Sequence, residues 1–173
     1  PLLVARSKDT TPFGDMLYFK CEHTNPTGSF KDRGTALVVA AATRLGVGQL
    51  AIASTGNAGS SLAAYAARAN LPLTVCVPEG VSPNKLWQIR CFDAHIEIAG
   101  QDFERAQTQC QTLCREAQAF SAGSENPFRM EGTKTMAFEM VEQLHPRPLR
   151  RVIVPIGTGN LIASLHKGFR EMV

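Results

Sequence analysis

Short apolar runs, each too brief for a helix, recur along this chain and alternate with longer segments of helical character. Leu50-Ala51-Ile52-Ala53 and Leu73-Thr74-Val75-Cys76-Val77 are nearly unbroken in apolar residues, the pattern of strands buried on both faces. Turn residues bound them: Gly46 and Gly48 ahead of the first, Pro72 ahead of the second, Pro78 and Gly80 behind it. Met16–Cys21, His95–Ile98 and Arg151–Ile156 read as further strands. Between them, helices are predicted over Thr35–Leu45, Leu62–Ala69, Ser82–Phe92, Asp102–Ala117 and Gly132–Leu144, with a last one running toward Glu171. In the fourth, Phe103, Ala106, Cys110, Leu113, Cys114 and Ala117 recur at offsets of three and four, with Arg105, Gln109 and Glu116 outward. Strand–helix alternation from end to end predicts an α/β fold with a mostly parallel sheet in three layers.

Composition removes several classes of function. A formal charge of +3, with no basic run interleaved with aromatics, gives no indication of nucleic-acid binding. No apolar run reaches the length of a membrane helix. Five cysteines at 21, 76, 91, 110 and 114 form no Cys-x-x-Cys pair, and the four histidines show no ligand spacing, so buried reduced thiols and no metal site are expected. Without a basic-then-apolar leader the expected compartment is the cytoplasm. The absence of an initiator Met suggests a start inside a larger frame.

Three loops each follow a strand and open a helix, the positions at which open α/β sheets bind ligands. In the first, Asn25-Pro26-Thr27-Gly28-Ser29-Phe30-Lys31-Asp32-Arg33-Gly34, Pro26 and Gly28 mark a turn, and Ser29 is the expected N-cap. Lys31 then falls in the first helical turn, where the helix dipole disfavours a cation. Its amine should lose a proton readily, which suits attack on a carbonyl; the same residues also suit an ordinary surface lysine beside Asp32. The second loop is Ser54-Thr55-Gly56-Asn57-Ala58-Gly59, with small hydroxyls, an amide and N–H groups at a helix start. Those groups suit a carboxylate, and equally a plain Ser cap with glycine for packing. The third, Gly157-Thr158-Gly159-Asn160, is a candidate phosphate cradle. It lacks the Lys-Ser/Thr of a P-loop, and Ile162 stands where a dinucleotide fingerprint has its third glycine.

Pro-Thr-Gly-Ser-Phe-Lys-Asp-Arg-Gly over 26–34 resembles the lysine motif of the β-family of pyridoxal-phosphate enzymes, fold type II. Asn126-Pro127-Phe128-Arg129-Met130-Glu131-Gly132-Thr133-Lys134-Thr135 resembles a segment of the threonine synthases within that family, with Thr133 where Gln is common. The resemblance implies that Lys31 carries pyridoxal 5'-phosphate as a Schiff base and moves protons. It further implies that Gly157, Thr158 and Gly159 hold the cofactor phosphate, with Asn160 as an added donor, and that Asn57 meets the ring hydroxyl. Ser54, Thr55, Gly56, Asn57 and Ala58 would hold the substrate carboxylate. Lys85, Asn126, Arg129 and Asn160 are candidates for a substrate phosphate, and Arg129 could grip it bidentately. The implied reaction converts O-phosphohomoserine and water to threonine and phosphate.

By the same analogy residues 48–125 form a smaller domain inserted in a larger one. Residues 1–47 and 126–173 then belong to a larger domain left incomplete, because the sheet normally continues and no residue here can face the pyridine nitrogen. The isolated chain is accordingly expected to bind cofactor weakly and turn over poorly. The expected partner is a small amino-acid phosphate, with a homodimer also considered. A threonine/serine dehydratase or phospho-lyase uses the same lysine and loops. A truncated non-catalytic module and a nucleotide-binding domain are the readings from other classes.

Overall fold

The computed structural model describes residues 1–4 and 17–172. Four parallel strands form its central sheet in the order β5-β4-β3-β6: β3 (Leu50–Ala53), β4 (Leu73–Val77), β5 (His95–Ile98) and β6 (Phe120–Ser121). The three longer strands occupy the predicted residues. Every residue of β4 is buried, as a strand flanked by two others and covered on both faces must be.

Strand alternation sorts the apolar residues into two layers. On one face Leu50, Ile52, Leu73, Val75 and Val77 pack against three helices: α1 (Lys31–Arg44), α2 (Asn57–Arg68) and α3 (Pro83–Arg90). On the other, Ala51 and Cys76 meet Ala106 and Cys110 of α4 (Phe103–Glu116). Asp102 caps α4 by accepting the Arg105 N–H at 2.8 Å. Gln109, expected outward, turns back to donate to Glu97 at 2.5 Å. Cys76, Cys110 and Cys21 are buried free thiols and Cys91 is exposed.

A third cluster, built on Met136, Ala137, Met140 and Leu165, joins α6 (Thr135–Leu144) to α7 (Asn160–Glu171). The helix predicted over Gly132–Leu144 is α6, and a separate short helix that was not predicted, α5 (Pro127–Thr133), precedes it and meets it at Lys134. Asn126 caps α5: its Oδ1 accepts the Phe128 N–H at 3.0 Å, and its Nδ2 donates to the Ser121 carbonyl at 2.7 Å.

Two strand expectations change. Within Met16–Cys21, β2 covers only Tyr18–Lys20 and pairs antiparallel with β1 (Leu2–Val4), away from the central sheet; Met16 lies outside the described residues. Arg151–Ile156 forms no strand. Ile153 is 69% and Ile156 67% exposed, so this apolar run has no neighbouring strand among the described residues to satisfy its backbone. No described helix is long and apolar enough to cross a membrane.

Candidate functional site

The lysine turn is built from its own side chains. Gly28, at φ +81°, donates its N–H to the Asn25 carbonyl at 2.8 Å and turns the chain where an L side chain would be strained. Helix α1 starts at Lys31, which therefore lies in the first helical turn as expected. Phe30, rather than Ser29, is its N-cap residue; Ser29 Oγ still accepts the Lys31 N–H at 3.3 Å. Asp32 supplies the stronger closure. Its Oδ2 accepts the Thr27 N–H at 2.7 Å, and its Oδ1 accepts the Thr27 hydroxyl at 2.5 Å. A carboxylate in the first turn also suits the helix dipole.

Lys31 is half-buried. Burial, and after it the nearby Arg129 guanidinium, hold its pKa below the ordinary lysine value. Its Nζ lies 4.4 Å from the centroid of the Phe30 ring, a contact that favours the ammonium and partly opposes the shift. Arg33, two residues on, clamps the turn from outside: it donates to both carboxylate oxygens of Glu22 at 2.6 and 2.8 Å and of Glu139 on α6 at 2.8 and 2.7 Å. Lys20 adds a 2.5 Å bond to Glu139.

Arg129 is the third residue of α5, in its first turn, and is only 5% exposed. Its Nε donates to the Ala122 carbonyl at 2.6 Å and its Nη1 to Thr35 Oγ1 at 3.3 Å. Nη2 is buried with no partner. Burial pulls the guanidinium down to about 10, with Glu125 opposing, so Arg129 remains a cation at neutral pH with donors unspent. Nη1 keeps a second N–H beside its bond to Thr35, and both N–H groups of Nη2 are free of partners.

At the carboxyl end of β3, Ser54 Oγ accepts the Gly59 N–H at 2.9 Å and the Gly56 N–H at 3.3 Å. The hydroxyl is thereby engaged in starting α2. A Cβ at Gly59 would lie 3.3 Å from both Ser54 and Val75, so glycine lets the helix close on β4. Asn57, first residue of α2, is exposed. Because β6 pairs with the other edge of β3, the loops after these two strands are neighbours. Asn160, first residue of α7, reaches that second loop and donates to the Ser124 carbonyl at 3.4 Å. Gly159 has φ +82°, and neither it nor Gly157 has any atom within 4 Å of where a Cβ would stand, leaving their backbone approachable in front of the α7 N-terminus.

The structure thus brings Lys31 and Arg129 together, and ties Asn160 to the loop that carries Asn126. No hydrogen bond joins Asn57 or the 157–159 loop to Lys31 among the described residues. Lys85 lies on α3, and its side chain is outside the described part. Sequence reasoning missed Thr35 and Ser61, both 0% exposed, which link Asp32 to Arg129. Two open cavities, of about 590 and 360 Å³, lie away from these residues, one between β1 and the end of α6, the other beneath α2 and Phe92.

The profile of the family described as "Pyridoxal-phosphate dependent enzyme" matches residues 1–173. The chain is 44% identical over 156 residues to the threonine synthase of Methanocaldococcus jannaschii, covering 90% of this chain and 38% of that one. It spans less than half the length of the curated relatives it matches. Among solved structures, O-ureido-L-serine synthase superposes with a TM-score of 0.87 at 21% identity, over 99% of this chain and 56% of that one. The processed form of threonine deaminase isoform 2 from Solanum lycopersicum superposes with a TM-score of 0.82 at 25% identity, over 90% and 43%.

Proposed function

The chain belongs to the pyridoxal-phosphate dependent enzyme family, and from that premise we propose that it is the lysine-bearing part of a threonine synthase-like lyase. The reaction converts O-phosphohomoserine and water to threonine and inorganic phosphate, with phosphate leaving the γ carbon and water adding at the β carbon. The observation that carries this reading is the half-buried Lys31 amine, its pKa depressed, beside a buried arginine with an unspent donor.

The residues present fit the cofactor. Lys31 would hold it. Gly157, Thr158 and Gly159 would take its phosphate on backbone N–H groups at the start of α7, with Asn160 beside them, and Asn57 would meet the ring hydroxyl. Once bound, the cofactor supplies a conjugated ring that absorbs carbanion charge. The rest is done by this chain's own groups. Lys31 Nζ, when free, accepts and returns protons, and an amine with a lowered pKa does this more readily near neutral pH. Ser54–Ala58 would receive the substrate carboxylate at the α2 N-terminus. Arg129 Nη2 would supply charged N–H donors to a substrate phosphate, with Lys85 and the remaining N–H of Asn126 in support.

In this reading residues 48–125 are the smaller domain, and 1–47 with 126–173 are part of the larger. The exposed run around Ile153 and Ile156 fits a strand whose neighbours come from further chain or from a second copy. The compartment proposed is the cytoplasm. The test is inorganic phosphate release from O-phosphohomoserine with added pyridoxal phosphate. Slow release, abolished by Lys31→Ala, is expected; fast turnover by these residues alone would contradict the domain division. The likeness to threonine deaminase favours a second reading, a dehydratase, which oxoacid formation from threonine or serine without phosphate release would select.

A further inference from the structure

The most unusual construction beside the lysine turn is a buried chain of polar groups that crosses three helices. Arg129 on α5 reaches Thr35 on α1 at 3.3 Å, the Thr35 and Ser61 hydroxyls are 2.8 Å apart, and Ser61 on α2 reaches Asp32 Oδ1 at 2.6 Å. Asp32 then holds Thr27, across the turn that contains Lys31. All four groups are buried, with 5% exposure at most. Arg129 can only donate, and a carboxylate can only accept. Each hydroxyl has one proton, so Ser61 spends its proton on Asp32 and must accept from Thr35, which in turn accepts from Arg129. A single proton arrangement satisfies the chain, and such a network is stiff.

Its location gives it meaning. Further along, α1 is held by apolar contacts through Val38, Val39 and Ala42, which would serve here equally well if cohesion were all that was needed. A polar chain instead fixes register, because it is satisfied in one geometry only. The three helices it joins begin at the lysine turn, at the Ser54–Ala58 loop and at Asn126, which are three of the four candidate binding segments.

We propose that Thr35 and Ser61 are positioning residues that set the Lys31 amine relative to Arg129 and the α2 loop. This inference rests on the reading of Lys31 as the cofactor-bearing residue.

Thr35 offers a clean separation of hydroxyl from bulk. Thr35→Val keeps the shape and loses the hydroxyl, Thr35→Ser keeps the hydroxyl and loses a methyl, and Ser61→Ala breaks the chain one link over. Each folded variant, checked by thermal melting, is incubated with pyridoxal phosphate and reduced with borohydride. Label at Lys31 is then followed by peptide mass, beside the visible circular dichroism of the bound chromophore. Thr35→Val and Ser61→Ala are expected to label Lys31 about tenfold more slowly, because small misplacements of a reacting group are costly, and to lose dichroism per bound chromophore. Thr35→Ser should stay within about twofold of the parent. Labelling by Thr35→Val at the parent rate would overturn the positioning role, as would equal losses in Thr35→Val and Thr35→Ser. A parent chain with no preference for Lys31 would overturn the proposed function itself, and this inference with it.

Discussion

Helices α1 and α5 cross with almost no space between them, and Gly132→Ala tests how much that closeness matters. A Cβ at Gly132 would stand 2.9 Å from Gly34 Cα and from the Arg33 carbonyl carbon, and closer still to the Arg33 oxygen. The obstruction is backbone and cannot rotate away. The helices must part by about 0.5–1 Å, enough to forfeit a quarter to a half of each contact's dispersion energy. Over-packing of this kind costs about 1–3 kcal/mol, and a rigid wall puts it at the upper end. Alanine returns about 1 kcal/mol of helix propensity over glycine. The net loss of about 2 kcal/mol should lower the melting temperature by roughly 4–8 °C in a chain of this size, measured by circular dichroism at a helix-sensitive wavelength. Gly48→Ala, where nothing lies within 4 Å of the new Cβ, is the control and should stay within about 0.5 kcal/mol. A Gly132→Ala protein as stable as the parent would refute the close-crossing argument.

Other outcomes follow from the charges and thiols. Glu139 is held at about 2, well below the ordinary carboxylate, by Arg33 first and Lys20 after it. Its folded-state pKa lies below the unfolded one, so its contribution is full above the unfolded pKa and fades as pH falls toward about 2. Glu139→Gln should therefore flatten the acid limb of a stability–pH curve below the ordinary Glu range; an unchanged limb would show that the Glu139 arm of the clamp contributes nothing. A thiol reagent should modify Cys91 first, because it is exposed while Cys21, Cys76 and Cys110 are buried. Cys114, pushed up to about 11 mainly by burial, should react slowly despite partial exposure. Rapid modification of Cys76 or Cys110 in the folded chain would contradict the packing of α4 on the sheet.

The strands β3, β4 and β5 were legible to the residue because continuous apolar runs bounded by glycine and proline leave little alternative. Strand β6 was not: Phe120 and Ser121 carry no periodicity, and only pairing with β3 makes them a strand. Arg151–Ile156 has the sequence of a buried strand, but a strand exists only where neighbours accept its hydrogen bonds. The junction at Lys134 was hidden because that residue keeps helical dihedrals, φ −60° and ψ −23°, and no proline marks it. At the site, Lys31 could be placed in the first turn of a helix from Pro26, Gly28 and the run that follows. Its partners could not. Ser61 lies 29 residues from Asp32, and Arg129 lies 94 from Thr35; no local pattern distinguishes these side chains from ordinary core hydroxyls and a surface arginine. The Ser54–Ala58 loop joins β3 to α2, as the apolar run and the Ala-rich helix around it imply, and the Ser54 hydroxyl is committed to the helix start.

The most direct test of Lys31 as the cofactor-bearing amine is a visible spectrum of the chain with saturating pyridoxal phosphate, taken beside Lys31→Ala. The account predicts a Schiff-base band in the parent, fixed by borohydride and absent from the folded variant. An equal band in Lys31→Ala, with the reduced label distributed over exposed lysines, would contradict it.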